Sequence, residues 1–293
     1  MPLKKVIEDD TRCAPHIRYS DGSCFSLKQL IEIAKSYNKN NKDKIIINNN
    51  KLYLVNQLKQ KLSKICSSQT CWLKLDFIRN MNDKDINENT LRPKGPTKKY
   101  EWLNTIHINE VISQYHNKYN DFLFLGAVPY DFEILPILGI TDINFNELIN
   151  DNKTKIGLII NLDEHYKSGS HWVALYTDLL KGQVYYFDSY GKKPKKRIKQ
   201  FVTKKIKFLY KRKYNIELDL NNNISVLQEQ LKSFDIRYNQ VRHQFKNSEC
   251  GVYSINFILR LVKGETFDNI TNNITSDDEV NKCRKVYFVN NDE

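Results

Sequence analysis

No apolar run in this chain approaches the ~20 residues needed to cross a bilayer, and the start, Met1 to Asp10, lacks the apolar core of a secretory signal. A protein soluble and intracellular at synthesis, with no membrane partner, is therefore expected. Cysteine is also sparse. Six in 293 residues are too few for a disulfide scaffold, and a nucleophilic thiol is most useful where thiols stay reduced. Cys13 with Cys24, and Cys66 with Cys71, lack the two-residue separation of a zinc knuckle. Free thiols, no metal and no cofactor are the expectation. Internal repeats are missing as well, and the Asn-rich stretches at Asn38 to Asn50 and Asn221 to Asn223 read as polar loops. Disorder is excluded by a content that is 40% hydrophobic and 12% aromatic, in a chain long enough to bury a substantial core.

Acids are absent from one stretch where bases crowd. Lys192 to Lys213 holds twelve Lys or Arg and no Asp or Glu, which equals the whole formal excess of +12. Ile198, Phe201, Ile206 and Leu209 recur there at helical spacing, so the segment predicts an amphipathic helix with a lysine-covered outer face. A solvated face is the plain reading. The sharper one is a weak, salt-sensitive contact with DNA or another polyanion, which no aromatic interleaving supports.

Two parts follow one another along the chain. Leu27, Leu30, Ile31 and Ala34, then Leu52, Val55, Leu58, Leu62 and Ile65, mark two helices of a small helical unit. Pro93, Gly95 and Pro96 interrupt regular structure and suggest a junction, giving a helical arm over 1–92 and a second domain over 93–293. In the second part, Trp102 to Tyr115 reads as a helix. Phe122 to Val128 reads as a buried strand or a turn-bound apolar run, Ile156 to Leu162, Trp172 to Thr177, Gln183 to Asp188 and Phe234 to His243 as strands, and Gly251 to Lys263 as a helix. Strands and helices mixed around a central hairpin predict an α+β domain.

Within that domain, His171, Asp188, Gln244 and Cys250 have the order of a thiol-protease site. A thiol nucleophile needs a base, the base needs an orienting carboxylate, and the tetrahedral intermediate needs a donor for its oxyanion. If the hairpin turns at Leu179-Leu180, His171 and Asp188 fall opposite each other at its open end. Cys250 precedes the apolar helix beginning near Gly251, whose unpaired N–H groups favour thiolate. Gln244, on the run into that turn, can offer a side-chain amide. Taken singly, a His beside a Trp, a buried Cys or an Asp before a turn is usually structural. The conjunction carries the reading.

These residues resemble the ubiquitin-like-protein-specific cysteine proteases of the SUMO-protease and adenain clan, whose pattern is His-Trp, then Asp, then Gln with five residues before Cys-Gly. Trp102-Leu103-Asn104-Thr105 is similar to that clan's Trp-Leu-Asn-Asp motif, with Thr105 in place of the final acid. The stretch Ile236 to Ser254, Gly95-Pro96 and the cysteine-bearing arm resemble the African swine fever virus-type processing proteases of large DNA viruses. In the swine fever enzyme Asn replaces the orienting acid that Asp188 retains here.

The resemblance implies a papain-like or adenain-like core with a central mixed sheet, His171 as general base, Asp188 orienting it, Cys250 as nucleophile and Gln244 as oxyanion donor. It also implies cleavage of protein substrates after Gly-Gly-like sequences, with Trp102 and Trp172 as aromatic walls of a narrow slot. The expected function is maturation of viral structural or core polyproteins by a monomer in the host cytoplasm, at the viral factory, and in the virion. The alternatives are removal of ubiquitin or SUMO from host proteins, and a non-catalytic binder on the same scaffold.

Overall fold

The computed structural model describes residues 13–289. The described chain divides into two compact units, 13–95 together with 285–289, and 96–284. The sequence assigns 285–289 to the second domain. Instead Val289 N–H donates to the Pro93 carbonyl at 3.0 Å, and Lys94 bridges to Val289, so backbone pairing draws the C-terminal segment into the first unit.

The first unit is helical: α1 (Leu27–Asn40), α2 (Lys51–Leu62) and the short α3 (Gln69–Trp72), α4 (Asp76–Arg79) and α5 (Lys84–Glu88). Ser26 and Gln29 form a capping box at the start of α1, satisfying N–H groups that the helix cannot. Leu30, Ile33, Ala34 and Tyr37 are buried along α1, and Leu54, Val55, Leu58 and Leu62 along α2. Leu52 and Ile65, expected on the apolar face, are instead exposed: Leu52 lies in the first turn of α2, and Ile65 lies beyond the helix end at Leu62. The expectation of free thiols in this unit is wrong. Cys13–Cys24 and Cys66–Cys71 are disulfides, with Cα separations of 5.3 and 5.5 Å, inside the bridging range. Both close short loops of a unit with a small core, where a staple contributes on the order of 2–3 kcal/mol. Zinc spacing and redox argument could not show that the fold brings each pair together.

The second unit is α+β. Its elements are α6 (Thr105–Ser113), β1 (Phe122–Val128), α7 (Phe145–Asn150), β2 (Lys155–Asn161), β3 (Trp172–Asp178), β4 (Gln183–Phe187), α8 (Lys196–Tyr214), α9 (Ile224–Leu231), β5 (Asp235–Tyr238), α10 (Cys250–Val262), α11 (Phe267–Asn272) and α12 (Asp277–Lys282). The strands lie in sequence order in one mixed sheet, with outer pairs β1–β2 and β4–β5 parallel and the inner pairs antiparallel. Every residue of β3 is buried, because helices cover both faces of the sheet. Val173, Leu175, Val184 and Tyr186 pack with Ile198, Phe201 and Leu209 of α8. On the other face Phe187 stacks on Phe257 of α10 with ring centroids 4.7 Å apart. α10 is apolar nearly all round, as a central buried helix must be.

α8 has the expected amphipathic form, with one exception. Lys205, counted among the outward lysines, is fully buried. Its Nζ donates to Thr177 Oγ1 at 3.1 Å and lies over the Phe201 ring, and burial pulls its pKa down to about 7. Among the described residues no helix is long and apolar enough to span a membrane, and no cluster of His, Cys, Asp and Glu could hold a metal.

Candidate active site

The sheet brings His171 and Asp188 together, though not by the register that symmetry about Leu179-Leu180 predicts. Asp178 pairs with Gln183 and Ala174 with Phe187, so the connection is two residues longer at its centre and Asp188 is offset from His171 rather than opposite it. Each sits one residue beyond a strand end, and a diagonal neighbour is still within reach. His171 Nε2 lies 2.7 Å from Asp188 Oδ1.

The carboxylate is held rigidly. Asp188 is 1% exposed. Its backbone N–H donates to Asn239 Oδ1 at 2.8 Å, and Asn239 Nδ2 donates back to the Asp188 carbonyl at 2.7 Å. Tyr190 N–H donates to Asp188 Oδ1, the oxygen that His171 meets, at 2.8 Å. The chain then turns at Gly191, which has φ +71°. A Cβ there would sit 3.0 Å from the Gln240 carbonyl oxygen, so only glycine lets this turn lie against 240–242. The Tyr190 ring covers the His171 imidazole, stacked at 4.5 Å.

Cys250 opens α10 and is buried. Cys250 acts on the His171 imidazole by hydrogen bonding and by its charge, which puts the thiol beside the ring that Asp188 holds. Burial alone would pull the imidazole down. The hydrogen bonds to Asp188 and Cys250, with their charges, more than offset that and lift His171 from 6.5 to about 9. An imidazolium between a carboxylate and a sulfur therefore persists through neutral pH. No side chain caps the first turn of α10, so its N–H groups remain to stabilise charge on sulfur or on an oxyanion. The Cβ of any residue replacing Gly251 would approach Leu103 Cβ to 3.0 Å. Glycine thus allows the segment 102–104 to lie against the nucleophile's turn.

Residues invisible as motif members hold the loop 244–249 in place. Gln244 is fully buried. Its Oε1 accepts from Ser189 Oγ at 2.6 Å, and its Nε2 donates to the Lys246 carbonyl at 2.6 Å. One Nε2 hydrogen remains for another acceptor. Asp277 Oδ2 accepts from both Phe245 N–H and Lys246 N–H, at 2.8 and 2.9 Å. Glu249, 0% exposed and immediately before Cys250, accepts from Arg284 and Asn281 at 3.1 Å. A buried charge of this kind is tolerated only when paired. The signal that could have found it is a glutamate inside an otherwise buried run.

Trp172 and Trp102 line one cleft of about 330 Å³. Trp172 is buried, its Nε1 donating to the Leu103 carbonyl at 2.9 Å, whereas Trp102 is 48% exposed. Trp102 lies ahead of α6 rather than in it, because Asn104 caps that helix through the His107 N–H. The β2–β3 loop forms much of the remaining wall. Asn161 Oδ1 accepts from Asp163 N–H and Ser170 N–H, at 3.1 and 3.2 Å, fixing both ends of this loop.

Residues 141–293 match the Ulp1 protease family, C-terminal catalytic domain. The chain belongs to that family. A putative thiol protease of Acanthamoeba polyphaga mimivirus is 38% identical to it over 300 residues, covering 95% of this chain and 93% of the relative. The SUMO-1 cysteine protease of African swine fever virus, from an isolate from a Kenyan pig, is 21% identical, covering 98% of each. The crystal structure of the African swine fever virus protease superposes with a TM-score of 0.62 at 19% identity, covering 99% of this chain and all of that one. The shared fold is thus the mixed sheet with flanking helices and an N-terminal helical region. As a Ulp1-type member the protein is a cysteine protease, and these relatives are viral.

Proposed function

We propose that this protein is a cysteine endopeptidase that cleaves after Gly-Gly-like sequences, using Cys250, His171, Asp188 and Gln244, and that it matures viral structural polyproteins. The observation that carries this reading is the 2.7 Å contact of His171 Nε2 with Asp188 Oδ1, with Cys250 acting on the same ring from a helix N-terminus. In the reaction, His171 holds the thiol proton and the Cys250 sulfur attacks the scissile carbonyl carbon. The resulting oxyanion receives hydrogen bonds from the Gln244 amide and the Cys250 N–H. His171 then gives its proton to the leaving amine, and the C–N bond breaks to leave a thioester. A water, deprotonated by His171, attacks that thioester, and the sulfur leaves with the proton returned.

The Gly-Gly preference is supported by Trp102 and Trp172 lining one cleft, whose rings are proposed to exclude substrate side chains. Purified protein offered peptides with Gly-Gly, Ala-Ala or Leu-Leu before the scissile bond turns over the first and not the others. Equal turnover of all three would remove the slot. Cys250→Ala abolishes cleavage of every peptide; residual turnover at the native rate would refute the nucleophile.

Deconjugation is the second reading, favoured by the swine fever relative's description as a SUMO-1 cysteine protease. Strong preference for a SUMO or ubiquitin C-terminal fluorogenic conjugate over a Gly-Gly-X peptide would reverse the order. The host cytoplasm, at the viral factory, and the virion are the proposed places of action. The exposed lysines of α8 are taken as a solvated face, partly neutralised by the Lys204–Glu133 and Lys211–Glu217 pairs.

A further inference from the structure

The β2–β3 loop carries a second imidazole–carboxylate pair that the proposed chemistry does not use. His165 Nδ1 lies 2.6 Å from Asp131 Oδ2, and the His165 backbone N–H donates to Asp131 Oδ1 at 2.9 Å. Asp131 is 2% exposed, while the His165 side chain is 52% exposed. One residue is a buried anchor and the other an accessible ring. His165 lines the same cleft as Trp102 and Trp172, together with Asp163 and Glu164; Cys250 is not part of that lining.

Burial would raise the Asp131 carboxyl, but the hydrogen bonds from His165 hold it below its usual range. An ionised carboxylate can only accept, so Nδ1 carries a proton and Nε2 is the ring nitrogen left to the cleft. The wall beside it adds the carboxylates of Asp163 and Glu164, the latter shared with Lys167 at 2.6 Å. The tryptophan slot proposed above takes the glycines before the scissile bond. His165 shares that cleft with the tryptophans while Cys250 does not, so a peptide whose glycines pass the tryptophans on their way to the sulfur sets its preceding residue beside His165.

We infer that His165, set by Asp131, is a specificity-determining residue whose Nε2 accepts a hydrogen bond from a donor-bearing side chain, a lysine or an amide, upstream of the Gly-Gly pair. The inference rests on the proposed peptidase reading and deepens it. It makes an atom-level prediction about Asp131→Asn. The backbone N–H of His165 requires an oxygen at one side of the new amide, which leaves the NH2 group facing Nδ1. The ring must then accept at Nδ1 and carry its proton on Nε2, so the subsite changes from acceptor to donor.

The test uses the full chain with Gly-Gly peptides bearing Lys, Gln, Ala or Glu at each of the two positions upstream of the glycines, read as kcat/KM. The native protein favours Lys or Gln over Glu by roughly tenfold, the size of one hydrogen bond gained against one acceptor repelled. His165→Ala reduces that ratio to the part that the Asp163 and Glu164 carboxylates keep by repelling Glu, chiefly through KM. His165→Gln, which keeps an acceptor at a similar reach, restores part of it. Asp131→Asn inverts it in favour of Glu. Alkylation of Cys250 by iodoacetamide, measured in parallel, reports whether the sulfur–imidazole chemistry is intact in each variant. A flat series in the native protein, or a ratio unchanged in both His165 variants, overturns the subsite. Absence of any native turnover would instead sink the peptidase reading on which it stands. Should Asp131→Asn fail to fold, the two His165 variants still decide the matter.

Discussion

Two histidines six residues apart between β2 and β3, His165 and His171, each meet a carboxylate, with nearly equal ring-to-carboxylate distances of 2.6 and 2.7 Å. They differ in everything else. In the His171–Asp188 pair both partners are buried, the carboxylate is bonded through Nε2, and a thiol lies on the other side. In the His165–Asp131 pair only the acid is buried, the bond is through Nδ1, and the free nitrogen faces a cleft. A short hydrogen bond between imidazole and carboxylate therefore assigns no role. What touches the remaining ring nitrogen, and how dry it is, decides between proton transfer and recognition.

The sharpest way to break the comparison is to remove each ring. His171→Ala lowers turnover of a Gly-Gly peptide by at least ~10³-fold, since it deletes base and acid together, while His165→Ala costs only the several-fold effect of a recognition contact. Comparable losses would erase the distinction. Removing the acids gives a smaller contrast. Asp188→Asn lowers kcat/KM roughly tenfold to a hundredfold, the worth of a charge-assisted hydrogen bond. It also moves the alkaline limb of the pH–rate profile from about 9 towards the unperturbed value near 6.5, because the lost carboxylate no longer favours imidazolium. Asp131→Asn leaves that limb in place. A limb that stays near 9 in Asp188→Asn would contradict the electrostatic account.

Stability against pH sharpens the comparison further, once a third group is removed. The raised pKa of His171 contributes stability that is fully present below about 6.5 and is lost as pH rises through about 9. Lys205 acts oppositely. Its folded pKa is depressed from 10.5 to about 7, so the unfolded chain binds the proton more readily across that window and stability rises with pH. Chemical denaturation of Lys205→Met from pH 7 to 10 should show a gain over the native protein of the order of a few kcal/mol at pH 7, shrinking as pH rises. The fall due to His171 then stands uncovered. A native–variant difference independent of pH would show that Lys205 is not a titrating buried amine.

The catalytic candidates were legible because each lies beside a strong local signal. His171 and Asp188 flank two β-branched, aromatic strands, and Cys250 begins an apolar helix. The His171–Asp188 contact forms despite an error of register, since diagonal neighbours across strand ends still touch. What stayed hidden depends on pairs far apart in sequence: Asn239 clamping Asp188, Arg284 neutralising Glu249, Ser189 bonding Gln244, and the Cys13–Cys24 and Cys66–Cys71 bridges. None of these has a local periodicity. Lys205 was misplaced for a related reason, because a lysine run looks uniformly solvated until one member is found under Thr177. His165 was passed over because a half-exposed loop histidine carries no pattern until Asp131, 34 residues earlier, is found beneath it.

The central proposal is that His171 is the base that activates the Cys250 thiol. The most direct measurement is the rate of Cys250 alkylation by iodoacetamide at pH 6, followed by peptide mapping that separates it from Cys283, in the native protein and in His171→Ala. The account predicts labelling at least ~10 times faster with the imidazole present, since the thiolate is the attacking species. Equal rates in the two proteins would contradict it.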